Sequence, residues 1–421
     1  MEKMIIGGGI PLQGRVKIDG MKNAAVAVIF ASIVTCDKCI IGNLPNIDDV
    51  DVSLEILRSV GANVVKTDKN TVEIDTTNVK NVPAPSDLVH RMRASYYFTG
   101  AMLARFGEAH MGMPGGCDLG ARPIDQHIKA FRALGANADI VNDNIDAEAR
   151  DGLFGTEIFF DCVTVGGTIN AMIAAMGAHG VTVINNAARE PHVVDLANFL
   201  NTCGAKITGA GTDVIKIKRG ALHGCTYDII PDMLEAGCYM IAAAATRGSV
   251  YVDGIILKHI ESISAKLAEM NVKISEFDDG VLVSAPERLV GTNVKTLPYP
   301  GFPTDMQPLM AVLMCIANGT GTINETIFEN RFRYAEELRR MGARISVSNG
   351  RAEIVGVEKL HAASVRAVDL RAGAAMMIAA LATEGYTEID DIYHIERGYS
   401  DIIQKLKALG ADIKKVDNTN V

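Results

Sequence analysis

A pattern that occurs six times along the chain constrains the fold more than any other feature of the sequence. Each copy combines a helical run, with apolar residues about 3.6 positions apart, a single Gly or Asn, and a short apolar strand. Helices often end at such a residue because the exit position takes a positive φ angle. The exit residues, between 67 positions (204 to 271) and 74 positions (61 to 135) apart, are Gly61, Gly135, Gly204, Asn271, Gly342 and Gly410. The pattern predicts six similar units that fill the chain.

Each unit also contains a helix that is apolar on almost every side. One example is the run AGAAMMIAALATEGYTEIDD at 372–391, where an apolar helix is followed by Gly and a strand. Helices of this kind are buried. Because helices and strands alternate, the sequence predicts an α/β (α+β) fold in which sheets enclose the apolar helices and amphipathic helices cover them. Six units exceed one core of about 250 residues, so we expect two similar domains of three units each.

The composition indicates a globular protein that stays in the cytosol. Hydrophobic residues make up 48% of the chain and charged residues 22%, which excludes disordered and fibrous classes. The longest mainly apolar stretch, Ala24–Cys36, is shorter than the roughly 18 residues that span a bilayer, and Met4–Ile6 is too short for a secretory signal core. The formal net charge of −9 provides no overall field that attracts nucleic acid or an anionic membrane. We therefore expect a cytoplasmic protein without nucleic-acid or membrane partners.

The eight cysteines are scattered along the chain, which is typical of a reduced cytosolic protein. The one CxxC segment, Cys36 to Cys39, has no second pair and no His at zinc spacing, so we interpret it as structural. Five others are expected to be small core residues: Cys162, Cys203, Cys225, Cys238 and Cys315. The sequence therefore predicts no metal site.

Residues with reactive or anion-binding side chains gather at two positions of the units, the start of the buried helix and the loop after its strand. Helix N-termini offer free N–H groups and a positive dipole end, so they are natural anion sites. The helix starts carry Lys22 with Asn23, Arg93, Thr164 to Gly167, Asp305, and Asp369 with Arg371, and the loops carry Cys117 with Arg122, Arg331 and Arg397. Together they predict a phosphate-binding site in an otherwise acidic protein. The glycines Gly7 to Gly9 do not favour a dinucleotide loop, because Pro11 and a strand follow them.

The segment MPGGCDLGARPID at 113–125 is a candidate for a reactive thiol. Two glycines before Cys117 and one after it make a loop able to move as a lid. Arg122 and the helix start at Pro123 would favour the thiolate form of the cysteine.

Eight motifs are distributed along essentially the whole chain. They are GGxPLxGxVxIxGxKNAA at 8–25, MRAS at 92–95, PGGCxxGARPxDxH at 114–127, NAAREP at 186–191, FPTDMQ at 302–307, FENRF at 328–332, DLRA at 369–372 and HIERGY at 394–399. In this combination they resemble the motifs of the UDP-N-acetylglucosamine 1-carboxyvinyltransferases, a family of enolpyruvyl transferases. The resemblance implies two similar domains of the inside-out α/β barrel type, with the chain crossing between them twice. It implies one domain at 22–229 with the Cys117 loop, and a second domain made of 1–21 and 230–421 with Asp305, Arg331, Arg371 and Arg397.

The resemblance also implies a reaction, the transfer of the enolpyruvyl group of phosphoenolpyruvate to the 3′-hydroxyl of UDP-N-acetylglucosamine with release of phosphate. The reaction proceeds by addition and elimination through a tetrahedral intermediate and needs no metal or organic cofactor. Cys117 would protonate the enol carbon and can form a covalent adduct, and Asp305 would be the base facing the sugar hydroxyl. Phosphoenolpyruvate would be bound by Lys22, Arg122 and Arg397, with charge added by Arg93, Arg331 and Arg371. The nucleotide sugar would contact Asn23, Arg122, Pro123, Ile124, Asp125, Gln126, Thr164, Val165, Gly166, Asp305 and Ile327.

Some alternatives stay open at this point. A related enolpyruvyl transferase that acts on shikimate 3-phosphate shares the chemistry, and a non-catalytic paralogue would only bind nucleotide sugars. Arg331 and Arg371 could instead form structural ion pairs with Glu329 and Asp369. Since the implied substrate residues come from both domains, we expect ligand binding to close the two domains.

Two details qualify the resemblance. His127 and His394 are interpreted as residues that pack in loops rather than as acids. The segment Cys162–Gly167 departs from the family pattern, so a diphosphate contact there would come from the Thr164 hydroxyl or the Gly166 backbone.

Overall fold

The computed structural model describes residues 2–115, 119–120, 122–286 and 288–417. This part of the chain divides into two units. Unit 1 contains residues 2–19, 119–120 and 231–417, and unit 2 contains residues 20–115 and 122–230. The chain passes between the units after residue 19 and after residue 230, and the short segment 119–120, which lies between two stretches of unit 2, also groups with unit 1.

Unit 2 repeats one order of elements three times: a buried helix, a strand, an amphipathic helix and a pair of strands. Before it come two strands of unit 1, β1 (Glu2–Gly8) and β2 (Gln13–Lys17). The first repeat consists of α1 (Lys22–Ala31), β3 (Lys38–Gly42), α2 (Asp48–Ser59), β4 (Asn63–Lys66) and β5 (Val72–Asp75). The second consists of α3 (Ser86–Arg91), α4 (Tyr97–Phe106), β6 (Glu108–Gly112), α5 (Asp125–Ala133), β7 (Asn137–Val141) and β8 (Asn144–Glu148). The third consists of β9 (Leu153–Phe154), β10 (Glu157–Phe159), α6 (Val165–Ala174), β11 (Ala178–His179), β12 (Val181–Asn185), α7 (Pro191–Thr202), β13 (Lys206–Thr208), β14 (Val214–Lys218) and β15 (Thr226–Asp228).

The rest of unit 1 repeats the same order three more times. Its first repeat consists of α8 (Met233–Ala245), β16 (Ser249–Asp253), α9 (Glu261–Glu269), β17 (Lys273–Phe277) and β18 (Gly280–Ser284). The second consists of β19 (Asn293–Lys295), α10 (Gln307–Cys315), β20 (Thr320–Asn324), α11 (Tyr334–Arg340), β21 (Arg344–Ser348) and β22 (Arg351–Val355). The third consists of β23 (Ser364–Arg366), α12 (Leu370–Ala382), β24 (Gly385–Asp390), α13 (Tyr393–Glu396), α14 (Ile402–Ala408) and β25 (Asp412–Asp417). Short 3₁₀ helices occupy Ser32–Thr35, Arg93–Tyr96, Ala175–Gly177, Leu257–Ile260 and Thr304–Met306.

The apolar helices form the centre of each unit, as the sequence predicted. In unit 2, α4 packs on α1 and α6, and in unit 1, α8, α10 and α12 pack on one another. Small residues allow close packing: a Cβ on Gly100 of α4 would lie 2.1 Å from Oδ1 of Asn170 on α6. Instead, the Gly100 N–H donates to that oxygen at 3.0 Å. Among the helices in the described part of the chain, none combines the length and apolar character needed to cross a bilayer.

Each repeat has one main sheet, and these six sheets share the same internal order, while β11 and β9 of the third repeat form an additional two-stranded sheet. The orders are β15-β3-β5-β4, β6-β8-β7 and β10-β12-β14-β13 in unit 2, and β17-β18-β16-β2, β19-β20-β22-β21 and β23-β24-β1-β25 in unit 1. In each sheet, the strand after the buried helix pairs antiparallel with a central strand. The N-terminal strand β1 is that central strand in the last repeat, so the beginning of the chain completes the fold of its end.

The positions at which the amphipathic helices end confirm the repeat. All six exit residues have positive φ, from 67° at Asn271 to 103° at Gly61. The helix–strand–helix–strand–strand order of α1 to β5 also recurs from α10 to β22, as expected if the two sets of units are similar. The two sets of three units with enclosed helices are therefore the fold that the sequence predicted.

A buried ion cluster joins three parts of unit 1. The ammonium of Lys405 on α14 contacts the carboxylates of Asp19 at 2.9 Å and Glu235 at 2.6 Å. The side chain of Lys405 is 17% exposed and that of Glu235 is 6% exposed. Asp19 is 21% exposed, so mainly the buried Glu235 carboxylate depends on the lysine for its charge compensation.

One expectation about the cysteines is wrong. Cys203, Cys238 and Cys315 are buried and Cys225 is partly exposed, but Cys162 is exposed. Cys162 lies in the turn between β10 and α6, where its neighbours Asp161 and Val163 are exposed as well. Its position between an apolar strand and an apolar helix made it look like a core residue.

Candidate active site

Several of the predicted site residues lie at the starts of buried helices in both units, and each unit has its own cluster. Lys22 and Asn23 are the first two residues of α1, and Val165 is the first residue of α6. Asp305 lies in the 3₁₀ helix before α10, and Arg371 is the second residue of α12. Cys117, the predicted reactive thiol, lies outside the described residues.

Lys22 is held in unit 2 by a carboxylate that the sequence analysis did not single out. Its Nζ lies 3.0 Å from Oδ2 of Asp49, and the two side chains are 15% and 6% exposed. The positive end of the α1 dipole opposes a cation in the first helical turn, so the carboxylate offsets that repulsion. Asp49 belongs to the first turn of α2, which contains three acidic residues, Asp48, Asp49 and Asp51. This local concentration of acids was the one feature of the sequence that could have indicated a partner for Lys22.

Arg93 and Arg122 bring a second concentration of positive charge to unit 2. The Arg93 guanidinium donates to the main-chain oxygen of Arg122 and lies over the Tyr96 ring, 5.8 Å from its centroid. Burial and then the nearby Arg122 charge lower the pKa of Arg93. Because both effects penalise the charged form, a bound anion would be stabilised here.

The N-terminus of α6 offers backbone groups rather than side chains. The Thr164 hydroxyl accepts a hydrogen bond from the Gly167 N–H at 3.2 Å, so it caps the helix. A Cβ on Gly166 would lie 2.6 Å from the Tyr96 hydroxyl and 2.9 Å from Nε2 of His127. Gly166 therefore allows the main chain to approach two aromatic rings closely, which favours the expected role of its backbone.

The segment from Arg122 to Gln126 leads into α5, and hydrogen bonds of the Gln126 side chain fix its position. Ile124 is buried, and Asp125 is the first residue of the helix. The Gln126 amide donates to Asp125 at 2.8 Å and to Asp161 at 3.1 Å, and its oxygen accepts from the Asp161 N–H. All these hydrogen bonds of the buried Gln126 side chain are made within the protein. They fix the start of α5 and thereby restrain the main chain at Pro123 and Ile124, which precedes it.

His127 agrees with its interpretation as a packing residue, although it lies in helix α5 and not in a loop. Its side chain is buried, and the Asn170 amide lies 3.0 Å from its Nδ1. Burial, together with the Arg93 charge, lowers the pKa of His127 to about 3. The ring is therefore neutral near pH 7, and a neutral imidazole is far too weak an acid to serve as a general acid.

The cluster in unit 1 is built around Asp305. One of its oxygens accepts from Nη2 of Arg331 at 2.7 Å, and the other from Arg371 at 3.2 Å. The arginine side chains are 2% and 5% exposed, whereas Asp305 is 29% exposed. The carboxylate therefore has both oxygens oriented by buried guanidinium groups while part of it faces solvent.

The partners of these arginines differ from the alternative that the sequence left open. Arg331 pairs with Asp305 and not with Glu329, and the carboxylate of Asp369 caps α12 by accepting from main-chain amides at 2.9 Å. Nη1 of Arg371 donates to the Tyr399 hydroxyl at 2.8 Å. Burial alone would lower the pKa of Arg371, but the facing groups Tyr399, Asp305 and Asp232 raise it. Arg331 and Arg371 thus form their ion pairs with Asp305, and these pairs hold its carboxylate.

Ile327 and Arg397 complete the predicted residues of unit 1. Ile327 is exposed in the loop after β20, and its N–H donates to the buried Glu325 carboxylate at 2.8 Å. Glu325 also accepts from Thr304, the residue before Asp305, at 2.9 Å, so one carboxylate links the two segments. Arg397 follows the short helix α13 rather than a strand directly, and its N–H donates to the Tyr393 oxygen at 3.2 Å.

Comparisons with known proteins identify the family. The family model described as EPSP synthase (3-phosphoshikimate 1-carboxyvinyltransferase) matches residues 6–406. The UDP-N-acetylglucosamine 1-carboxyvinyltransferase 3 of Caldanaerobacter subterraneus subsp. tengcongensis is 54% identical over 99% of this chain and 100% of the relative. The UDP-N-acetylglucosamine 1-carboxyvinyltransferase 2 of Clostridium acetobutylicum is 53% identical over 99% of both chains.

Solved structures agree with the fold. The enolpyruvyl transferase NikO from Streptomyces tendae has a TM-score of 0.89 at 26% identity and covers 99% of both chains. EPSP synthase from Acinetobacter baumannii has a TM-score of 0.77 at 16% identity, covers 99% of this chain and 100% of its own, and supports the fold alone. The chain therefore belongs to the UDP-N-acetylglucosamine 1-carboxyvinyltransferase family of enolpyruvyl transferases, as its motifs predicted.

Proposed function

We propose that this protein transfers the enolpyruvyl group of phosphoenolpyruvate to the 3′-hydroxyl of UDP-N-acetylglucosamine and releases phosphate. Relatives that are 54% and 53% identical over almost their whole length carry the name of that activity, which supports the choice of substrate. The geometric observation that carries the proposal is the Asp305 carboxylate, which two buried guanidinium groups orient while it stays 29% exposed.

Asp305 suits the role of base toward the sugar hydroxyl. An ionised carboxylate has about four lone-pair positions, and the two arginines use only some of them. In the addition step, the hydroxyl proton passes to Asp305, the hydroxyl oxygen bonds to C2 of phosphoenolpyruvate, and an acid adds a proton to C3. In the elimination step, the conjugate base of that acid takes a proton from C3, the C2–C3 double bond forms again, and phosphate leaves C2. We assign the acid to Cys117.

The cationic residues suit the two anionic substrates. Phosphoenolpyruvate carries a carboxylate and a phosphate, and the nucleotide sugar carries a diphosphate, for which guanidinium groups are fitting partners. We assign phosphoenolpyruvate to Lys22, Arg122 and Arg397, and additional positive charge to Arg93, Arg331 and Arg371. We assign the nucleotide sugar to Asn23, Arg122, Pro123, Ile124, Asp125, Gln126, Thr164, Val165, Gly166, Asp305 and Ile327.

The cellular part of the proposal follows from the reaction. A protein with this activity performs the first committed step of peptidoglycan precursor synthesis, and so contributes to cell wall formation, cell shape and division. We assign it to the cytoplasm and infer no metal or organic cofactor for the reaction.

Phosphate release from the purified protein tests the proposal. Release should require phosphoenolpyruvate and UDP-N-acetylglucosamine together, and shikimate 3-phosphate should not replace the nucleotide sugar. Asp305→Asn should lower turnover by about 10²–10⁴-fold, since it removes the base but keeps the shape of the side chain. The control Glu353→Gln removes an exposed carboxylate of the same unit and should leave turnover unchanged.

The role of Cys117 needs its own measurement. Cys117→Ala should lose turnover but still bind the nucleotide sugar, and Cys117→Asp should recover turnover because it restores an acid. A small phosphate-bearing epoxide should label Cys117 first among the eight cysteines. Phosphate release with shikimate 3-phosphate in place of the nucleotide sugar, or full activity of Cys117→Ala, would show that the proposed reaction is wrong.

A further inference from the structure

Three cysteine thiols from separate parts of the sequence meet in unit 2. Cys39 lies on β3, Cys203 follows the last residue of α7, and Cys225 directly precedes β15. Their three Sγ atoms lie within 4.8 Å of one another, and the Sγ atoms of Cys203 and Cys225 are 3.2 Å apart. The proposed reaction uses none of these thiols.

Main-chain hydrogen bonds fix the positions of all three segments. Strand β15 pairs in parallel with β3, and the Ile40 N–H donates to the Cys225 oxygen at 2.8 Å. The His223 N–H donates to the Cys203 oxygen at 2.9 Å, which ties the end of α7 to the segment before β15. The thiols are thus brought together by the fold itself and not by mobile side chains on a surface.

The cluster is separate from the candidate active site. Lys22 begins α1, and the helical stretch of ten residues in α1 and four in the following 3₁₀ helix ends at Thr35, four positions before Cys39. At 1.5 Å per α-helical and 2.0 Å per 3₁₀ residue, the stretch is about 23 Å long. The cysteines therefore lie beyond the opposite end of the central helix from the substrate residues.

Metal binding releases thiol protons, because the thiolate and not the thiol is the metal ligand. Three thiols within 4.8 Å of one another can therefore supply three thiolate ligands to a single cation.

We propose that Cys39, Cys203 and Cys225 form a binding site for a thiophilic metal ion with a filled d shell, Cu(I) or Zn(II). Thiolate ligands select such soft ions over Mg²⁺, Ca²⁺ or Mn²⁺. Within the described part of the chain, no His or carboxylate joins the three sulfur atoms at the same spacing. Structural zinc sites take four ligands, so three sulfurs alone favour Cu(I), and Zn(II) would need a water as fourth ligand. Cys225, the partly exposed member, gives the ion its access from solvent.

Metal competition on the full-length protein tests the site. The protein is reduced with a phosphine, which contributes no thiol, and is titrated without oxygen with Cu(I) or with Zn(II) against a coloured chelator of each ion. We expect one equivalent per chain to be retained against the chelator, and X-ray absorption of the bound ion to show three sulfur ligands. The preferred ion is the one retained at the higher chelator concentration.

Substitutions identify the ligands. Cys39→Ser, Cys203→Ser and Cys225→Ser should each weaken retention at least tenfold, whereas Cys36→Ser, an exposed neighbour in sequence, and Cys117→Ser should not. Turnover and circular dichroism of the three ligand variants should match the unsubstituted protein, which shows that they fold. If a buried variant does not fold, Cys225→Ser decides, because that thiol is partly exposed.

Three results would overturn the site: neither ion retained, retention unchanged in all folded ligand variants, or a Cys203–Cys225 disulfide that persists under the reductant and excludes metal. The outcome is independent of the proposed reaction, since Cys117→Ser should abolish turnover and keep the metal.

Discussion

The buried side chain of Asp195 is unfavourable in its ionised form, and replacing it by a residue that cannot ionise should change how the stability of the protein depends on pH. It lies on α7 of unit 2 with 1% of its surface exposed, and its Oδ1 accepts a hydrogen bond from the Tyr227 hydroxyl at 2.6 Å. Burial raises the pKa of Asp195 from its ordinary value of 3.8 to about 6, although Tyr227 and the Ile230 amide favour the ionised form. The folded protein therefore holds a proton over a pH range in which the unfolded chain has released it.

The sign and size of the effect follow from this difference. Because the folded pKa is the higher one, the stability contributed by the bound proton is fully present below pH 3.8 and is lost as the pH rises through about 6. The difference of about two pKa units, at 1.36 kcal/mol for each unit, is worth about 3 kcal/mol. Asp195→Asn keeps an oxygen that accepts from Tyr227 but cannot ionise, so it should lack this loss.

Urea denaturation at a series of pH values, followed by circular dichroism, measures the effect. Relative to the unsubstituted protein, Asp195→Asn should gain about 3 kcal/mol between about pH 4 and pH 7. The companion variant Tyr227→Phe removes the hydroxyl that stabilises the carboxylate, so it should become less stable near neutral pH than at about pH 4. A constant difference between Asp195→Asn and the unsubstituted protein over this range would refute the reasoning, because only a titrating Asp195 produces a pH-dependent difference.

Two further predictions concern packing and buried charge. Lys405→Met leaves the buried Glu235 and the partly buried Asp19 without their shared cation and should lower the free energy of unfolding by about 3–5 kcal/mol. Lys258→Met, at an exposed ion pair, should leave the urea midpoint unchanged. Equal midpoints for both lysine variants would contradict a structural role of the buried cluster. Gly166→Ala places a Cβ against the two aromatic groups beside α6 and should destabilise unit 2 by about 1–3 kcal/mol and weaken nucleotide-sugar binding in calorimetry. Gly112→Ala, whose nearest contact would be at 3.7 Å, is its control, and tight nucleotide-sugar binding by Gly166→Ala would show that the close approach is not required.

The repeat could be predicted from the sequence because each of its signals is local. An exit residue such as Asn271 and the apolar helix that precedes each strand report on their own neighbourhood, and the structure has positive φ at all six exits. The same reasoning places Lys22 and Asp305 at helix starts, where the structure has them. Local pattern therefore gives the architecture and the positions of many site residues.

Partners that are distant in the sequence could not be predicted in the same way. Cys39 and Cys225 meet because β3 pairs with β15, which is 186 positions later in the chain at Ile40 and Thr226. In the sequence, Cys39 belongs to a CxxC segment with Cys36, which is exposed, and that segment was interpreted as structural. Likewise, the nearest acids in sequence suggested partners for the arginines of unit 1, whereas the fold brings both to Asp305. Such contacts depend on strand pairing and helix packing, for which spacing along one chain contains no signal.

The arrangement around Asp305 joins two interpretations that the sequence kept apart, a structural ion pair and a catalytic group. An arginine that is 2% exposed has little freedom, so its bond to Asp305 holds the carboxylate in one orientation before any substrate is present. Arg371 adds a second restraint and is itself held by the Tyr399 hydroxyl. A reacting group that is already oriented needs no reorganisation when charge develops, which is how fixed polar groups lower a barrier. The two ion pairs therefore join protein side chains to one another, as structural ion pairs do, and in the proposed reaction they position Asp305 as the base.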